Sequence, residues 1–328
     1  MHKKTIAILA AATLFMSAHA ESKLTLRYSH PNAPTSIAGQ QADLFAKKVA
    51  EYSGGSITVE VYPSSQLGSL QEQAEQVSAG VVAFNHNTAA AMGTLFEDFA
   101  VLDTPFMYKD VSHLLKVADP NSGVMKKLNE GLLKKSKVRV LYTFYFGTRQ
   151  LTADRPIKKP DDLKGLKIRS VPFPIYSTAV EGMGATPTPI DWAETVTSLK
   201  TKVVNGQENP VNTIASAKLW EVQSNLMMTN HIIGAEIVVV NDAIWQKLTP
   251  AQQSIIQKAA ADASAFGTKT TLAQEATDLK TLKDNGMKII TAADGLDIAA
   301  FKARVDKLVN EKFGAKWVDY YTLIKATK

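Results

Sequence analysis

Apolar and polar positions alternate along this chain in a way that predicts strands and helices in turn. Leu24, Leu26 and Tyr28 alternate with Thr25 and Arg27, the period of two expected of a half-buried strand. After the turn-forming His30-Pro31-Asn32-Ala33-Pro34-Thr35, a helical face with Leu44, Phe45 and Val49 runs on to the stop Ser53-Gly54-Gly55. Ile57, Val59 and Val61 then alternate as a second strand. Strand, helix and strand at this short spacing form a βαβ unit, which predicts a parallel sheet. Ser69 and Glu72 predict a capping box for a helix ending at Gly80, and residues 81–84 read as a buried strand. Asp103-Thr104-Pro105-Phe106 reads as a loop into a helix pair over about 110–135. Residues 138–145, rich in β-branched and aromatic side chains, read as a central strand. It leads to a crossing point between lobes at Phe146-Gly147-Thr148-Arg149-Gln150.

The same alternation from 150 to 230 is enough for a second lobe. Leu166-Lys167-Ile168-Arg169 is a short strand, a helix follows over about 174–183, and Pro187 and Pro189 mark a loop. A helix beginning near Asp191 ends close to Gly206, and Gln207-Glu208-Asn209-Pro210 reads as a turn. Residues 237–240 form a strand returning to the first sheet. Thr249-Pro250-Ala251-Gln252 opens a helix that runs to about Asp284, with Asn285-Gly286 as its stop. At 1.5 Å per residue that helix is roughly 50 Å long, so it is expected to run along both lobes as a spine. Residues 287–290 are a short strand, and the remainder is helical with a basic, exposed tail. The fold class is α/β. Lobe I takes residues 21–146 plus 235–265, lobe II takes 147–234 plus 266–328, and the helix at 250–284 is shared.

Composition sets the compartment. Lys3 and Lys4 precede an apolar stretch from Thr5 to Met16, and Ala18-His19-Ala20 is an A-x-A site, so a signal peptide is expected to be cleaved after Ala20. The mature chain is then expected in the periplasm. Without a cysteine, the core itself must hold the fold, and a chain of this length can bury one. Removing Lys3 and Lys4 from 37 basic residues leaves 35 against 31 acidic, a mild excess. The basic residues are spread along helices without interleaved aromatics, which argues against a nucleic-acid partner. No G-x-S-x-G, P-loop or H-E-x-x-H occurs, and Gly182-Met183-Gly184 lacks the third glycine of a dinucleotide fingerprint. The histidines left after cleavage (His30, His86, His113, His231) have no metal-ligand spacing. No catalytic residue, cofactor or metal is therefore expected.

The candidate chemistry lies at Arg169 and Asn209. An arginine leaving a strand and an asparagine before Pro210 can both face a crevice beyond the carboxyl ends of parallel strands, where open α/β sheets bind ligands. From spacing alone, Arg169 also fits a polar-face residue paired with a surface acid, and Asn209 fits an ordinary turn residue. Gly165-Leu166-Lys167-Ile168-Arg169, the Gly206-Gln207-Glu208-Asn209-Pro210 segment and Tyr62-Pro63 with Gln66-Leu67-Gly68 resemble the solute-binding proteins of tripartite ATP-independent periplasmic (TRAP) transporters, the DctP-type family. Asp103-Thr104-Pro105-Phe106 and Leu248-Thr249-Pro250-Ala251-Gln252-Gln253 fit the same resemblance, which covers essentially all of the mature chain.

The resemblance implies a two-lobed periplasmic binding protein (flytrap) fold with a long helix spanning both lobes. It implies closure on an organic acid and delivery to a membrane symporter built from small and large integral membrane subunits. It assigns Arg169 to a bidentate pair with the ligand carboxylate, a role suited to a planar, always-charged guanidinium. Asn209 matches a ligand-contacting asparagine, and Arg149 a second, less uniformly used arginine whose alternative role is to hold the lobes. Phe173 and Trp192 are candidate pocket walls or simply buried side chains. Asn85 and Asn87 occupy a segment that differs among relatives, and His30 is a cleft candidate or a structural histidine. A monomer is the default for a shuttle. A receptor for an ATP-driven importer and an exported enzyme acting on an organic acid are the alternatives.

Overall fold

The computed structural model describes residues 23–328, so the expected signal peptide lies outside the described residues. The chain begins with β1 (Leu24–Ser29), α1 (Ile37–Tyr52) and β2 (Ile57–Tyr62), and β1 and β2 pair in parallel as the βαβ spacing predicts. Next come α2 (Leu70–Ala79), β3 (Phe84–Thr88), α3 (Ala89–Met92), α4 (Val111–Ala118) and α5 (Gly123–Ser136). The capping box at Ser69 and Glu72 forms as expected, and Gly80 ends α2 in the left-handed region at φ 75°. Then follow β4 (Val138–Ala153), β5 (Lys167–Ser170), α6 (Pro174–Gly182), β6 (Thr186–Pro189), α7 (Trp192–Lys200), β7 (Gly206–Pro210) and α8 (Val211–Ser216). The chain closes with β8 (Asn225–Asn241), α9 (Asp242–Lys247), α10 (Pro250–Asp284), β9 (Lys288–Ile290), α11 (Ile298–Val309) and α12 (Val318–Ala326).

All nine strands belong to one sheet in the order β2-β1-β3-β8-β4-β7-β5-β6, with β9 beside β8. The sheet has two halves joined by two long antiparallel strands, β4 of 16 residues and β8 of 17. One end of β8 pairs with β3 through residues 236–240, while β7 pairs with the far end of β4 through Arg149 to Ala153. The register of β4 against β8 shifts between Tyr145 and Gly147 and again between Arg149 and Leu151. Those irregularities fall where the two halves meet.

The helix α10 runs 35 residues as a single element. Ile256, Ala259, Ala260 and Ala263 near its start pack into the core of the first half, with Phe45, Phe84 and Val238. Leu282 near its end packs into a second-half cluster with Leu199, Ile214 and Leu226. It is therefore a spine along both lobes. The approach is close at Gly267, where an added Cβ would stand 2.9 Å from Cδ2 of the buried Phe144.

Several local expectations are corrected. The strand expected at 81–84 lies at Phe84–Thr88, and Val81 is exposed. Its polar residues Asn85, His86 and Asn87 bond to Ser29, Asn32 and the Leu70 carbonyl, so their polarity does not oppose burial. The loop expected around Pro187 and Pro189 is the strand β6, which tolerates proline because it ends the sheet. The turn expected at Gln207–Pro210 is the buried strand β7, whose side chains are satisfied by Thr152, Arg149 and His231. The helix at Asp191 ends at Lys200, several residues before Gly206. The C-terminal segment is not wholly an exposed tail: Trp317, Tyr320 and Ile324 are buried, and His113 Nε2 lies 2.9 Å from the Ile324 carbonyl oxygen.

Candidate functional site

The elements converge on a cleft between the two halves. Asn32, Leu70 and Thr88 line it from the first half, and Arg169, Val171, Trp192, Asn209 and Thr213 from the second. Phe146, Arg149 and Glu236 come from the crossing strands β4 and β8. The free space between these residues is about 40 Å³, room for about three waters at roughly 10–15 Å³ each. A ligand of more than a few atoms enters only if the halves separate.

Arg169 sits near the carboxyl end of β5, opposite Thr188 of β6, and is 1 % exposed. Its Nε donates to the Ile190 carbonyl at 2.8 Å, and its guanidinium lies 5.9 Å from the centre of the Trp192 ring. Neither terminal nitrogen has a protein acceptor among the described residues, and no carboxylate pairs with it. Burial pushes its pKa down to about 10, leaving it charged at neutral pH. Trp192 opens α7 directly after its N-cap residue, Asp191, and this places the indole against the arginine.

Arg149 is placed differently. Its Nε donates to Glu208 Oε2 at 2.5 Å, and its Nη2 donates to Glu208 Oε1 at 2.8 Å and to the Glu208 carbonyl at 2.7 Å. Glu208 also meets His231 Nε2 at 3.0 Å, and Thr229 Oγ1 lies 2.8 Å from His231 Nδ1. Arg149 and Glu208 are 3 % and 1 % exposed. Burial opposes ionisation of Glu208, but Arg149 and His231 outweigh it and hold the carboxyl at about 2. Burial likewise opposes the charge on Arg149, and the Glu208 carboxylate reverses the effect, raising its pKa. Among the described residues, only Nη1 of Arg149 stays free of protein acceptors.

Asn209 faces Gln150 across β4 and β7, is 4 % exposed, and donates one amide hydrogen to Gln207 Oε1 at 2.6 Å. It lines the cleft, and its other N–H and its side-chain carbonyl have no protein partner among the described residues. The cleft therefore brings together Arg169, Asn209, Arg149 and Trp192.

The other sequence candidates stand apart from the cleft wall. Phe173 precedes α6 and is buried in the large core with Ile175, Tyr176 and Val171. Asn85 donates to the Ser29 carbonyl and hydroxyl, both at 3.0 Å, and Asn87 donates to the Leu70 carbonyl at 2.8 Å. His30 is fully buried, stacks on His86 at 4.6 Å, and finds no hydrogen-bond partner for either ring nitrogen. Burial lowers its pKa to about 4, so the ring is neutral at physiological pH.

Sequence reasoning missed Glu236, Thr88, Thr213 and Asn32 in the wall, and Glu208 and His231 behind it. Glu236 had a legible signal. It is the single charged residue of the apolar run Ile232-Ile233-Gly234-Ala235-Glu236-Ile237-Val238-Val239-Val240. No group of His, Asp or Glu among the described residues is arranged to hold a metal ion.

The chain is similar to known proteins along nearly its whole length. The model of bacterial extracellular solute-binding protein family 7, DctP, matches residues 28–316. The sialic acid-binding periplasmic protein SiaP of Vibrio cholerae is 32 % identical over 311 residues, covering 95 % of this chain and 94 % of that one. A TRAP periplasmic solute-binding protein of Bordetella bronchispeptica, with density assigned to pantoate, superposes with TM-score 0.85 at 30 % identity, over 93 % of this chain and 99 % of its own. Another, from Roseobacter denitrificans with bound L-galactonate, gives TM-score 0.86 at 27 % identity, over 93 % and 99 %.

Proposed function

The chain belongs to bacterial extracellular solute-binding protein family 7, and we propose that it captures a small organic acid through Arg169 for a TRAP membrane symporter. The observation that carries this reading is the state of Arg169: a buried guanidinium in a cleft with no carboxylate paired to it among the described residues. A buried charge without a partner is strongly unfavourable, and a ligand carboxylate supplies the missing one. Two terminal nitrogens left open side by side match the two oxygens of a carboxylate, a geometry that lysine cannot offer. Asn209 adds a donor and an acceptor, and Trp192 forms an apolar wall beside the pair.

The mechanism is closure of two lobes divided at the waist of the sheet, near residues 146 and 235. Closure expels water, and the pair between Arg169 and carboxylate strengthens as the local dielectric falls. The closed surface then differs from the open one, which lets the small and large membrane subunits distinguish a loaded receptor from an empty one. The relatives described above are binding proteins named for sialic acid, or structures holding pantoate or L-galactonate, and all three ligands are organic acids. They are periplasmic proteins; we extend that compartment to this chain, with processing after Ala20. Binding without turnover is the expected activity.

The test is a thermal-shift screen of the chain from Glu21 onward against organic acids, followed by calorimetry on the hits. A ligand at a hundred times its Kd adds about 2.7 kcal/mol to stability, a readily measured shift. Arg169→Ala should bind at least a hundredfold more weakly and still fold. Affinity retained within about threefold in that variant would remove Arg169 as the anchor.

A further inference from the structure

Apart from Arg169, the cleft holds one other ionisable group without a partner. Glu236 is 3 % exposed and lines the cleft, and its carboxyl makes no hydrogen bond to any described residue; its Oε2 is fully enclosed. It stands on β8 between Thr88 of β3 and Phe144 of β4. An unpaired buried carboxyl is costly as an anion and costs much less as the neutral acid. The titratable and charged groups around it are Asp103, Arg149, Tyr28 and Tyr176. Burial and Asp103 raise its pKa, Arg149 only partly opposes them, and the result is pushed up to about 8. At neutral pH the side chain is mainly a carboxylic acid, with an O–H to donate and a carbonyl to accept.

The cations of the cleft fix the charge a ligand can carry. Arg149 is already matched by Glu208, while Arg169 has no carboxylate within pairing distance among the described residues and feels Glu208 and Asp191 only from further off. One open cation calls for one carboxylate. Arg169 stands on β5 of the second half and Glu236 on β8 where it pairs with β3 of the first, with β4 and β7 between them in the sheet, so the two groups serve different parts of the ligand.

Building on the reading of Arg169 as the carboxylate anchor, we propose that Glu236 is a specificity-determining residue that donates its carboxyl O–H to a hydroxyl or carbonyl oxygen remote from the ligand carboxylate. The ligand class is then hydroxy- or oxo-monocarboxylates. A dicarboxylate places a second anion against Glu236 and Asp103 with no cation to receive it.

The experiment compares the wild-type protein with Glu236→Gln, Glu236→Leu and Arg169→Ala by calorimetry. The probes are four- and six-carbon acids ending in methyl, hydroxyl, carboxylate or ammonium, together with galactonate. The hydroxyl-terminated acids or galactonate should bind best to the wild type. Glu236→Leu should lose about tenfold for those ligands and nothing for the methyl-terminated acids, as expected for one hydrogen bond. Glu236→Gln keeps an N–H donor, so it should restore most of that loss. Wild-type affinity should fall above pH 8 as Glu236 ionises, and this decline should be absent in Glu236→Gln. Infrared difference spectra at pH 7 should show a protonated-carboxyl band that Glu236→Gln removes, whatever ligand is present.

Preference for the ammonium-terminated or dicarboxylic acids overturns the proposal, as does the absence of that band. Equal affinities in wild type and Glu236→Leu overturn it too, while loss of binding in Arg169→Ala would leave the anchor standing. Binding retained in Arg169→Ala, or no binding of any probe by the wild type, overturns the parent reading and this one with it.

Discussion

Replacing Glu208 by Gln tests whether the buried pair behind the cleft is an electrostatic support or a by-product of packing. The change keeps size and hydrogen-bonding capacity but removes the charge, leaving Arg149, 3 % exposed, without a counter-ion. A carboxyl held at about 2 when the free side chain titrates near 4.5 represents about 3 kcal/mol at about 1.4 kcal/mol per pH unit. That agrees with the roughly 3–5 kcal/mol measured when one member of a buried pair is removed. Glu208→Gln should therefore lower stability by about 3 kcal/mol at pH 7. At roughly 2–4 °C per kcal/mol this lowers Tm by about 6–12 °C. The pH dependence follows from the sign of the shift. The folded-state pKa of Glu208 lies below its unfolded value, so its contribution is complete above about pH 4.5 and lost as pH falls towards 2. The gap between wild type and variant, measured by urea unfolding, should hold from pH 7 to 5 and shrink to about half by pH 3. The double replacement Arg149→Met with Glu208→Leu should recover part of the loss, because no charge is then stranded. A gap under 1 kcal/mol at pH 7, or one that stays constant down to pH 3, would refute the reasoning.

Further expectations address the frame around the cleft. Gly267→Val on α10 forces a branched side chain towards the packed ring of Phe144, where even a Cβ comes within 2.9 Å. Overpacking of this kind should cost about 1–3 kcal/mol, and an unchanged Tm would show that the helix can shift at no cost. Asn85→Ala removes donors to Ser29 and Gln73. It should lower stability by about 1–3 kcal/mol and leave ligand affinity within threefold; a larger loss of affinity would return Asn85 to the pocket.

The frame was readable where local rules act alone. The βαβ start, the Ser69 capping box and the Thr249-Pro250 opening of the long helix depend on residues within a few positions of each other, and the structure forms them as expected. The readings that failed depend on partners far along the chain. Gln207 and Glu208 look like turn residues until Thr152, Arg149 and His231 satisfy them, which makes a buried polar strand possible. The bonds from Asn85 and Asn87 to Ser29 and Leu70 are likewise invisible in the sequence, because the partners lie far along the chain. Arg169 was singled out from its motif, whereas its burial without a paired carboxylate is visible only in three dimensions. Glu236 was within reach of the sequence, since a lone carboxylate in a run of isoleucine and valine calls for an explanation.

The position of β8 bears on how such a chain is made. The sheet places β8 between β3 and β4, so Phe84 meets Val240 and Val138 meets Asn241. The first half of the sheet cannot close while the ribosome is still adding the middle of the chain, because its central strand has not yet emerged. Pairings that distant slow collapse. For a protein threaded unfolded across a membrane, as proposed for this one, late closure is an advantage: the chain stays pliable until its last third arrives, and then both halves can be completed by the same strand.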